Sequence, residues 1–261
     1  MEKTFQEYTR FINEIVTEEI IKKNIAKIGT VGHFVIAEDG TFKTRFYPGF
    51  TLITPTYSDD ADNLSLYKTL VEVRDTIVKQ ISSLKCVKAP DSALHMTVAR
   101  LISGELFEKS ILNIRENEVL DALETVFSKS QAEPGMKFQI EGISILPQGI
   151  IAAMVTAEDE SGYNQLQSLR DSIYSDKVLS EIGIERKRGF TGHITLMYIE
   201  KELTAKEKKD IVESLIQVNG FYFLNPHPFY LNRAEVRRFD NYLDFYREED
   251  WPLIAFKQQE L

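Results

Sequence analysis

LHMTV at residues 94–98 and GHITL at residues 192–196 are two copies of one short pattern. In each copy a His and a Thr lie two residues apart within an apolar run. Side chains alternate between the two faces of a strand, so the His and the Thr share one face and the apolar residues take the other. The polar residues of the two copies are His95, Thr97, His193 and Thr195. Strands of this kind would bury their apolar face and present an imidazole and a hydroxyl for chemistry on the other.

The composition is that of an ordinary soluble globular protein, since 43% of the 261 residues are hydrophobic and 27% are charged. No apolar run approaches the roughly 20 residues that span a bilayer, and the charged N-terminus lacks a signal-peptide core. The single cysteine, Cys86, excludes an internal disulfide and a thiolate zinc site. We therefore expect a cytoplasmic protein without a membrane partner.

The net charge is −9, which argues against a broad surface for long duplex nucleic acid. It leaves room for a small basic pocket that takes a nucleotide or the end of a short RNA. The sequence does not indicate an oligomeric state.

Hydrophobic periodicity divides the chain into an N-terminal addition and two similar units. Residues 3–26 predict an amphipathic helix, and residues 31–47 predict a hairpin that turns at Asp39-Gly40. The first unit is predicted as strand 49–54, helix 62–84, strand 93–101, helix 116–128 and strand 137–145. After a tight connection at 146–149, the second is predicted as strand 150–156, helix 161–175, strand 192–199, a helix that starts at the Thr204 capping box, and strand 221–231. A last strand is predicted over 234–246.

The order of elements indicates an internal duplication. The first unit's opening strand begins near Phe50, 45 residues before His95, and the second begins near Ile150, 43 residues before His193. Equivalent strands of two copied halves can meet about a pseudo-two-fold axis. We therefore expect the two histidines to face each other in one cleft.

Two facing histidines suit an in-line displacement at phosphorus. An imidazole titrates near 6.5, so near neutral pH one ring can be neutral while the other is protonated. The neutral ring takes a proton from a hydroxyl or water, and the protonated ring gives one to the leaving oxygen, with no metal needed. The threonine hydroxyls can donate hydrogen bonds to the non-bridging phosphate oxygens as their charge grows.

The paired His-x-Thr motifs, 98 residues apart in a duplicated chain, resemble the 2H phosphoesterase superfamily. That group includes 2′,3′-cyclic phosphodiesterases, bacterial proteins named 2′-5′ RNA ligases and enzymes that trim RNA 3′ ends. The resemblance covers roughly residues 48–231. It implies an α+β, bilobed fold of duplicated βαβαβ units, with mainly antiparallel sheets lining a central cleft. It also carries over the catalytic set, which is His95, Thr97, His193 and Thr195.

This resemblance gives the domain boundaries. Residues 1–47 are predicted as an N-terminal helix and hairpin extension, and residues 48–261 as the 2H phosphoesterase-like domain, with lobes at about 48–146 and 147–246. The extension is an addition to the smallest members of the superfamily. The chain is thus most similar to an uncharacterised branch of the superfamily, so the resemblance does not identify its substrate.

A histidine in a packed strand is the simpler interpretation of either motif taken alone, whereas two motifs in register with a duplication favour catalysis. His33 and His227 have no Thr partner and are predicted to be structural or surface residues. No spacing of the four histidines is typical of a metal site, so neither a metal nor another cofactor is expected.

Residues that contact the substrate are harder to predict. A basic loop at Arg186, Lys187 and Arg188 precedes the second motif and could hold a phosphate or simply be solvated. Strict alternation places Arg100 on the core face, so it reaches the site only if the strand ends or twists there. Tyr198 resembles an aromatic residue that often follows the second motif in this superfamily, but alternation places it with Ile194 and Leu196, which favours core packing. Tyr47 and Phe50 could stack on a base or pack in the core. Arg233, Arg237, Arg238 and Phe239 could border the cleft or lie along the last strand.

These observations predict a metal-independent phosphoesterase that hydrolyses a 2′,3′-cyclic or 2′-5′ phosphodiester of a small nucleotide or oligonucleotide. Two alternatives stay open. One is an RNA end-processing or 2′-5′ RNA ligase-like enzyme, which ligation activity on a displaced RNA end would reveal. The other is a nucleotide-binding module without turnover. The intact His95, Thr97, His193 and Thr195 argue against it, because such a module has no need of two proton-transfer groups.

Overall fold

The computed structural model describes residues 2–39, 41–81, 86–111, 115–130, 133–225 and 227–257. Its helices are α1 Phe5–Ile15, α2 Glu18–Ala26, α3 Leu64–Gln80, α4 Glu105–Ser110, α5 Glu116–Ser128, α6 Glu160–Ser175, α7 Lys177–Ile182 and α8 Ala205–Tyr222. Its strands are β1 Phe34–Ile36, β2 Phe42–Thr44, β3 Gly49–Ile53, β4 Val87–Lys88, β5 Thr97–Ser103, β6 Met136–Leu146, β7 Ile150–Ala157, β8 His193–Tyr198, β9 His227–Leu231, β10 Arg233–Asn241, β11 Asp244–Tyr246 and β12 Leu253–Ala255. No helix among these residues is both long and apolar enough to cross a membrane.

The N-terminal segment folds as two helices and a hairpin. The single helix predicted over 3–26 is wrong, because Thr17 adopts an extended backbone and its hydroxyl caps α2 by accepting from the Ile20 N–H. The predicted hairpin is formed by β1 and β2. Gly40 of the predicted turn lies outside the described residues.

Two five-stranded sheets make up the rest of the strand structure. The first has the order β11-β10-β3-β5, with β12 paired to β10, and the second has the order β4-β8-β7-β6-β9. The ladders between these strands are antiparallel. The predicted α+β class with mainly antiparallel sheets is thus confirmed.

The sheets do not follow the order of the two predicted lobes. β6 precedes residue 147 but lies inside the second sheet, whereas β10, β11 and β12, near the end of the chain, complete the first sheet. The predicted lobe boundary at 146/147 therefore divides the two repeated units of the sequence but does not coincide with the division between the two sheets. Each motif strand lies in a different sheet, β5 at the edge of the first and β8 inside the second.

Several predicted element boundaries need correction. The strand predicted from residue 221 begins only at His227, because α8 continues to Tyr222. The strand predicted over 234–246 is a hairpin of β10 and β11. The helix predicted over 62–84 is observed as α3 over Leu64–Gln80, and Leu84 lies outside the described residues. The capping box at Thr204 is confirmed, with reciprocal hydrogen bonds to Glu207.

Helices pack against both sheets and bury their apolar faces. α1 packs on β7, α2 and α8 on β6, and α3 on β8, while α4 and α6 pack on β5. Between β6 and β7 the predicted tight connection forms, where Gly149 has φ 87°, a conformation that favours glycine. With the apolar faces covered, the polar face of each motif strand is left for the site.

Candidate active site

One backbone bridge joins the two motifs. Met96 pairs antiparallel with Ile194 in an isolated bridge, which connects the edge of the first sheet to the second. Since neighbours of an antiparallel pair face each other, this register sets His95 opposite Thr195 and Thr97 opposite His193. Met96 and Ile194 are fully buried, and the other four are half-buried. All four polar residues therefore lie on one face, which we call the motif face.

Each motif strand bulges at the equivalent position. In β5, Thr97 and Ala99 pair with two successive residues of β3, so Val98 between them is the extra residue of the bulge. In β8, Thr195 and Met197 pair with two successive residues of β7, so Leu196 is the extra residue. Val98 and Leu196 are 98 residues apart, as the motifs are. A bulge interrupts strict alternation, so the third residue after each Thr need not lie on the core face.

Those third residues are Arg100 and Tyr198, which strict alternation had placed in the core. Arg100 is exposed and its guanidinium lies near enough to His193 to lower the pKa of that imidazole. Tyr198 is 6% exposed; its hydroxyl donates to the Tyr242 carbonyl at 3.3 Å and lies close to the Thr195 side chain. Arg100 thus borders the motif face, whereas Tyr198 supports Thr195 from behind it.

The two imidazoles are oriented in the same way. The Nδ1 of His95 lies 2.8 Å from the Ala93 carbonyl, and the Nδ1 of His193 lies 2.8 Å from the Thr191 carbonyl. A carbonyl can only accept, so Nδ1 carries the proton and donates in both rings. The neutral tautomer then has an unprotonated Nε2 on the far side of each ring, ready to accept a proton.

Burial makes both rings less basic. It lowers the pKa of His95 to about 3, and the charges of His193 and Arg237 add to this, against the hydrogen bond to Ala93. Burial also lowers the pKa of His193, helped by Arg100 and opposed by the hydrogen bond to Thr191. Both histidines are therefore neutral at pH 7 unless an anion binds beside them.

A wall from the C-terminal hairpin covers His95. The Phe245 ring meets the His95 ring edge to face, with centroids 4.4 Å apart. Buried Arg237 donates to the Phe245 carbonyl at 3.2 Å and is held by Asp59 and Glu235 at 2.6 and 2.7 Å. Arg237 therefore fixes the wall and contributes positive charge near His95. Phe245 was predicted only as a strand residue, since nothing in the sequence links it to a motif 150 residues away.

Two hydroxyls support the motif backbone. Thr54 accepts the Met96 N–H at 2.9 Å. Tyr8 of α1, which is fully buried, accepts the Gly192 N–H at 3.1 Å and donates to the Val155 carbonyl at 2.5 Å. The Tyr8 hydroxyl thus bridges two groups of the β7–β8 ladder immediately before His193.

An aromatic group lies at the edge of the site. The His33 ring lies 4.0 Å from the Tyr242 ring and 4.4 Å from the Tyr47 ring, and the Arg100 guanidinium is 3.5 Å from the Tyr242 hydroxyl. Tyr47 also shares a hydrogen bond of 3.1 Å with Ser103. His33, predicted to be a structural or surface residue, is thus connected to the motif face through Arg100.

The other predicted substrate contacts have different surroundings. Arg186 is bound by Glu2 at 2.7 Å and by Asp171, and its guanidinium stacks on the Tyr174 ring. These partners hold the Arg186 guanidinium in a structural network, and a contact of Arg186 with substrate stays a prediction. Lys187 and Arg188 belong to the loop before β8. Phe50 is buried against Phe107 and Trp251 in the core.

The described residues contain no group of three or more His, Cys, Asp or Glu side chains placed to hold a metal ion. The basic and hydroxyl groups of the site are instead suited to an anion. An anionic ligand on the motif face would meet two imidazoles, two hydroxyls and the Arg100 guanidinium.

Solved structures show that the fold occurs in other proteins. A conserved protein of unknown function from Agrobacterium tumefaciens, ATU0111, matches with 14% identity over 87% of this chain and 91% of that chain, at a TM-score of 0.58. TT0787 of Thermus thermophilus matches with 15% identity over 72% and 86%, at a TM-score of 0.46. At these identities the likeness concerns the fold. No protein-family model and no curated protein matches the chain.

LigT of Escherichia coli, in a complex with 3′-AMP, matches with 10% identity over 81% of this chain and 96% of that chain, at a TM-score of 0.40. LigT belongs to the 2H phosphoesterases, the group that the two motifs resemble. At so low an identity and TM-score this match carries no argument about the activity of this chain, and the resemblance to that superfamily rests on the two motifs.

Proposed function

We propose that this protein is a 2H-type phosphodiesterase, which hydrolyses a 2′,3′-cyclic or 2′-5′ phosphodiester of a small nucleotide or short RNA without a metal. The observation that carries this proposal is the Met96–Ile194 bridge, whose register gathers two imidazoles and two hydroxyls on one face. A module that only binds nucleotides has no need of two similarly oriented proton-transfer groups.

The proposed reaction is an in-line displacement at phosphorus. One histidine accepts a proton through Nε2 from the attacking water as its oxygen bonds to phosphorus. The P–O bond to the ribose oxygen breaks on the opposite side, and the second histidine gives that oxygen a proton. Thr97, Thr195 and Arg100 donate to the non-bridging oxygens, where negative charge grows.

We assign the base to His95 and the acid to His193 in the direction of hydrolysis. The lowered pKa of His95, about 3, keeps this ring unprotonated at neutral pH, as a base must be. His193 has to be protonated, and a bound phosphate would raise its pKa by charge attraction. The reverse reaction exchanges the two roles.

A substrate screen tests the proposal. Nucleoside 2′,3′-cyclic phosphates and 2′-5′ and 3′-5′ dinucleotides are incubated with the wild type and with the His95→Ala/His193→Ala double variant. We expect the wild type alone to release a nucleoside monophosphate from one of the 2′-linked classes. Equal product from both proteins, or none from any substrate, would contradict the proposal.

A chelator tests the absence of a metal. Turnover should be the same with and without a strong chelator, because histidines move the protons and Arg100 with the threonines balances the charge. Turnover that disappears with the chelator and returns with zinc or manganese would overturn this part of the proposal.

A further inference from the structure

Three basic residues are neighbours in the fold, and we call them the rim cluster: His33, Arg45 and Arg100. His33 and Arg45 form a cross-strand pair at the end of the β1–β2 hairpin, where the Arg45 N–H donates to the His33 carbonyl at 2.8 Å. Arg100 comes from β5. The rim cluster therefore joins the N-terminal extension to the first motif strand.

The extension is fixed against the domain at this point. Both carboxylate oxygens of Glu200 accept backbone N–H groups, that of Gly32 at 2.9 Å and that of His33 at 3.0 Å. Phe34, the next residue, is buried with its ring 5.2 Å from that of Tyr198. His33 is thus held in place, and its contacts with Tyr47 and Tyr242 belong to an anchored hairpin.

The two arginine side chains of the rim cluster have no carboxylate partner among the described residues, since the nearby Glu200 carboxylate accepts the backbone N–H groups of Gly32 and His33. Within the described ranges, neither Arg45 nor Arg100 forms an ion pair, although arginines of other regions, such as Arg74, Arg186 and Arg237, do. Both arginines act on His33, whose pKa is lowered by burial and, further, by their charges. Unbalanced positive charge at one place in a chain of net charge −9 is the arrangement expected of an anion site.

The position of Arg100 connects this charge to catalysis. Its guanidinium is 3.5 Å from the Tyr242 hydroxyl, and the Tyr242 ring lies 4.0 Å from the His33 ring. The charge of Arg100 lowers the pKa of both His33 and His193. A phosphodiester on the motif face would therefore lie close to Arg100, which Tyr242 connects to His33 and to its strand partner Arg45. Guanidinium groups bind phosphate oxygens through paired N–H donors, so a second position beside His33 and Arg45 suits a phosphate monoester.

We propose that the rim cluster binds a second phosphate of the substrate, so that the preferred substrate is a nucleotide carrying a terminal phosphate monoester besides the scissile phosphodiester. This inference rests on the proposed function for the identity of the scissile bond. It gives the N-terminal extension a role in specificity, in addition to its packing.

The test compares matched substrates. The value of kcat/KM is measured for a nucleoside 2′,3′-cyclic phosphate with and without a 5′-phosphate, and the ratio of the two values is the readout. We expect the wild type to prefer the 5′-phosphorylated substrate by about tenfold or more, the effect of one or two charge-assisted hydrogen bonds. Arg45→Gln, on an exposed side chain, should bring the ratio close to one, mainly by raising KM for the phosphorylated substrate.

Two further variants make the result specific. His33→Gln should lower the ratio as Arg45→Gln does, while Arg10→Gln, which removes an exposed arginine from α1 of the same extension, should leave the ratio at the wild-type value. A wild type without preference for the 5′-phosphate, or an Arg45→Gln ratio equal to that of the wild type, would overturn the proposal.

A binding measurement separates this proposal from the proposed function. Calorimetry with adenosine 3′-phosphate and adenosine 3′,5′-bisphosphate reports the second phosphate without any turnover. The bisphosphate could bind more tightly than the 3′-phosphate, and Arg45→Gln could remove that difference, while no cyclic phosphate is hydrolysed. That outcome would support the second phosphate site and contradict the proposed reaction. Equal affinity for the two ligands would overturn the subsite whatever the turnover.

Discussion

β5 and β8 carry the same bulge, at residues 98 apart, but the hydroxyl that supports each motif comes from a different part of the chain. At the first motif, Thr54 lies immediately after β3, the partner strand of β5, and accepts the Met96 N–H. At the second motif, Tyr8 reaches in from α1 and accepts the Gly192 N–H. The first motif is therefore supported within its own sheet, whereas the second depends on the N-terminal extension.

The residues after the bulges differ as well. Arg100 supplies an exposed cation beside the motif face, and Tyr198, at the equivalent position, is buried behind Thr195. Phe245 covers His95 and no ring contact of this kind is found for His193 among the described residues. The duplicated backbone thus holds two chemically unequal halves, as a base and an acid acting on one phosphate require.

The largest expected effect comes from removing either histidine. His95→Ala and His193→Ala should each lower turnover by about 10²–10⁴-fold, the usual contribution of a general acid or base. The double variant should be little worse than the less active single variant, because base and acid serve one step. Steady-state kinetics on the best substrate of the screen measures this, and near-normal turnover of either single variant would refute the two-histidine mechanism.

Arg100 and Tyr198 test the inequality of the two halves. Arg100→Ala should lower kcat/KM by about 10²-fold, because it removes a cation that stabilises the transition state. Tyr198→Phe should cost less than about tenfold, since Thr195 keeps its own hydroxyl. Circular dichroism of both variants serves as the folding control. Equal losses at the two positions would show that the halves are not specialised as we infer.

The sequence was sufficient for the motif face but not for its surroundings. Period-two alternation correctly placed His95, Thr97, His193 and Thr195 on one side, because each motif is short and lies before its bulge. It failed three residues after the first Thr, at the exposed Arg100, since no glycine or proline marks that bulge, whereas Tyr198 is buried as the alternation predicted. Local pattern also could not show that the C-terminal hairpin returns to the first sheet, because that pairing joins strands almost 200 residues apart, such as β3 and β10.

The break between α1 and α2 is a different case. Thr17 followed by Glu18 and Glu19 is a readable helix start, since a hydroxyl cap and acidic first-turn residues are typical of one. Because the apolar residues continue at helical spacing across residues 3–26, the pattern predicted one uninterrupted helix. By contrast, nothing in the sequence around Tyr8 distinguishes a buried helix tyrosine from one whose hydroxyl enters a strand ladder.

Tyr8→Phe tests whether the second motif depends on the extension. Loss of the hydroxyl leaves the Gly192 N–H and the Val155 carbonyl without their bridge, which should reduce the free energy of unfolding by about 1–3 kcal/mol. Because Gly192 precedes His193, kcat should also fall several-fold with little change in KM. Chemical denaturation and saturation kinetics measure the two effects.

Thr54→Val is the matched variant at the first motif, where it removes the acceptor of the Met96 N–H. If each hydroxyl positions its own histidine, Tyr8→Phe should shift the limb of the pH–rate profile that belongs to His193, and Thr54→Val the limb that belongs to His95. A loss of stability in both variants with unaltered pH profiles would leave the two hydroxyls with a purely structural role.

A last expected effect concerns stability in acid. Folding lowers the pKa of His95 from about 6.5 to about 3. The unfolded chain therefore binds a proton at this residue near pH 6.5, whereas the folded chain binds it only near pH 3. The stability associated with a neutral His95 is therefore complete above pH 6.5 and is lost progressively as pH falls toward 3. His95→Gln should flatten this loss, and His193→Gln should do so less, since His95 has both His193 and Arg237 as positive neighbours. Urea unfolding at about pH 7, 5.5 and 4.5 gives the free energy of unfolding of the wild type and the two variants, whose carboxylates titrate alike. If this free energy falls with pH at the same slope in both variants, the two imidazoles have equivalent surroundings.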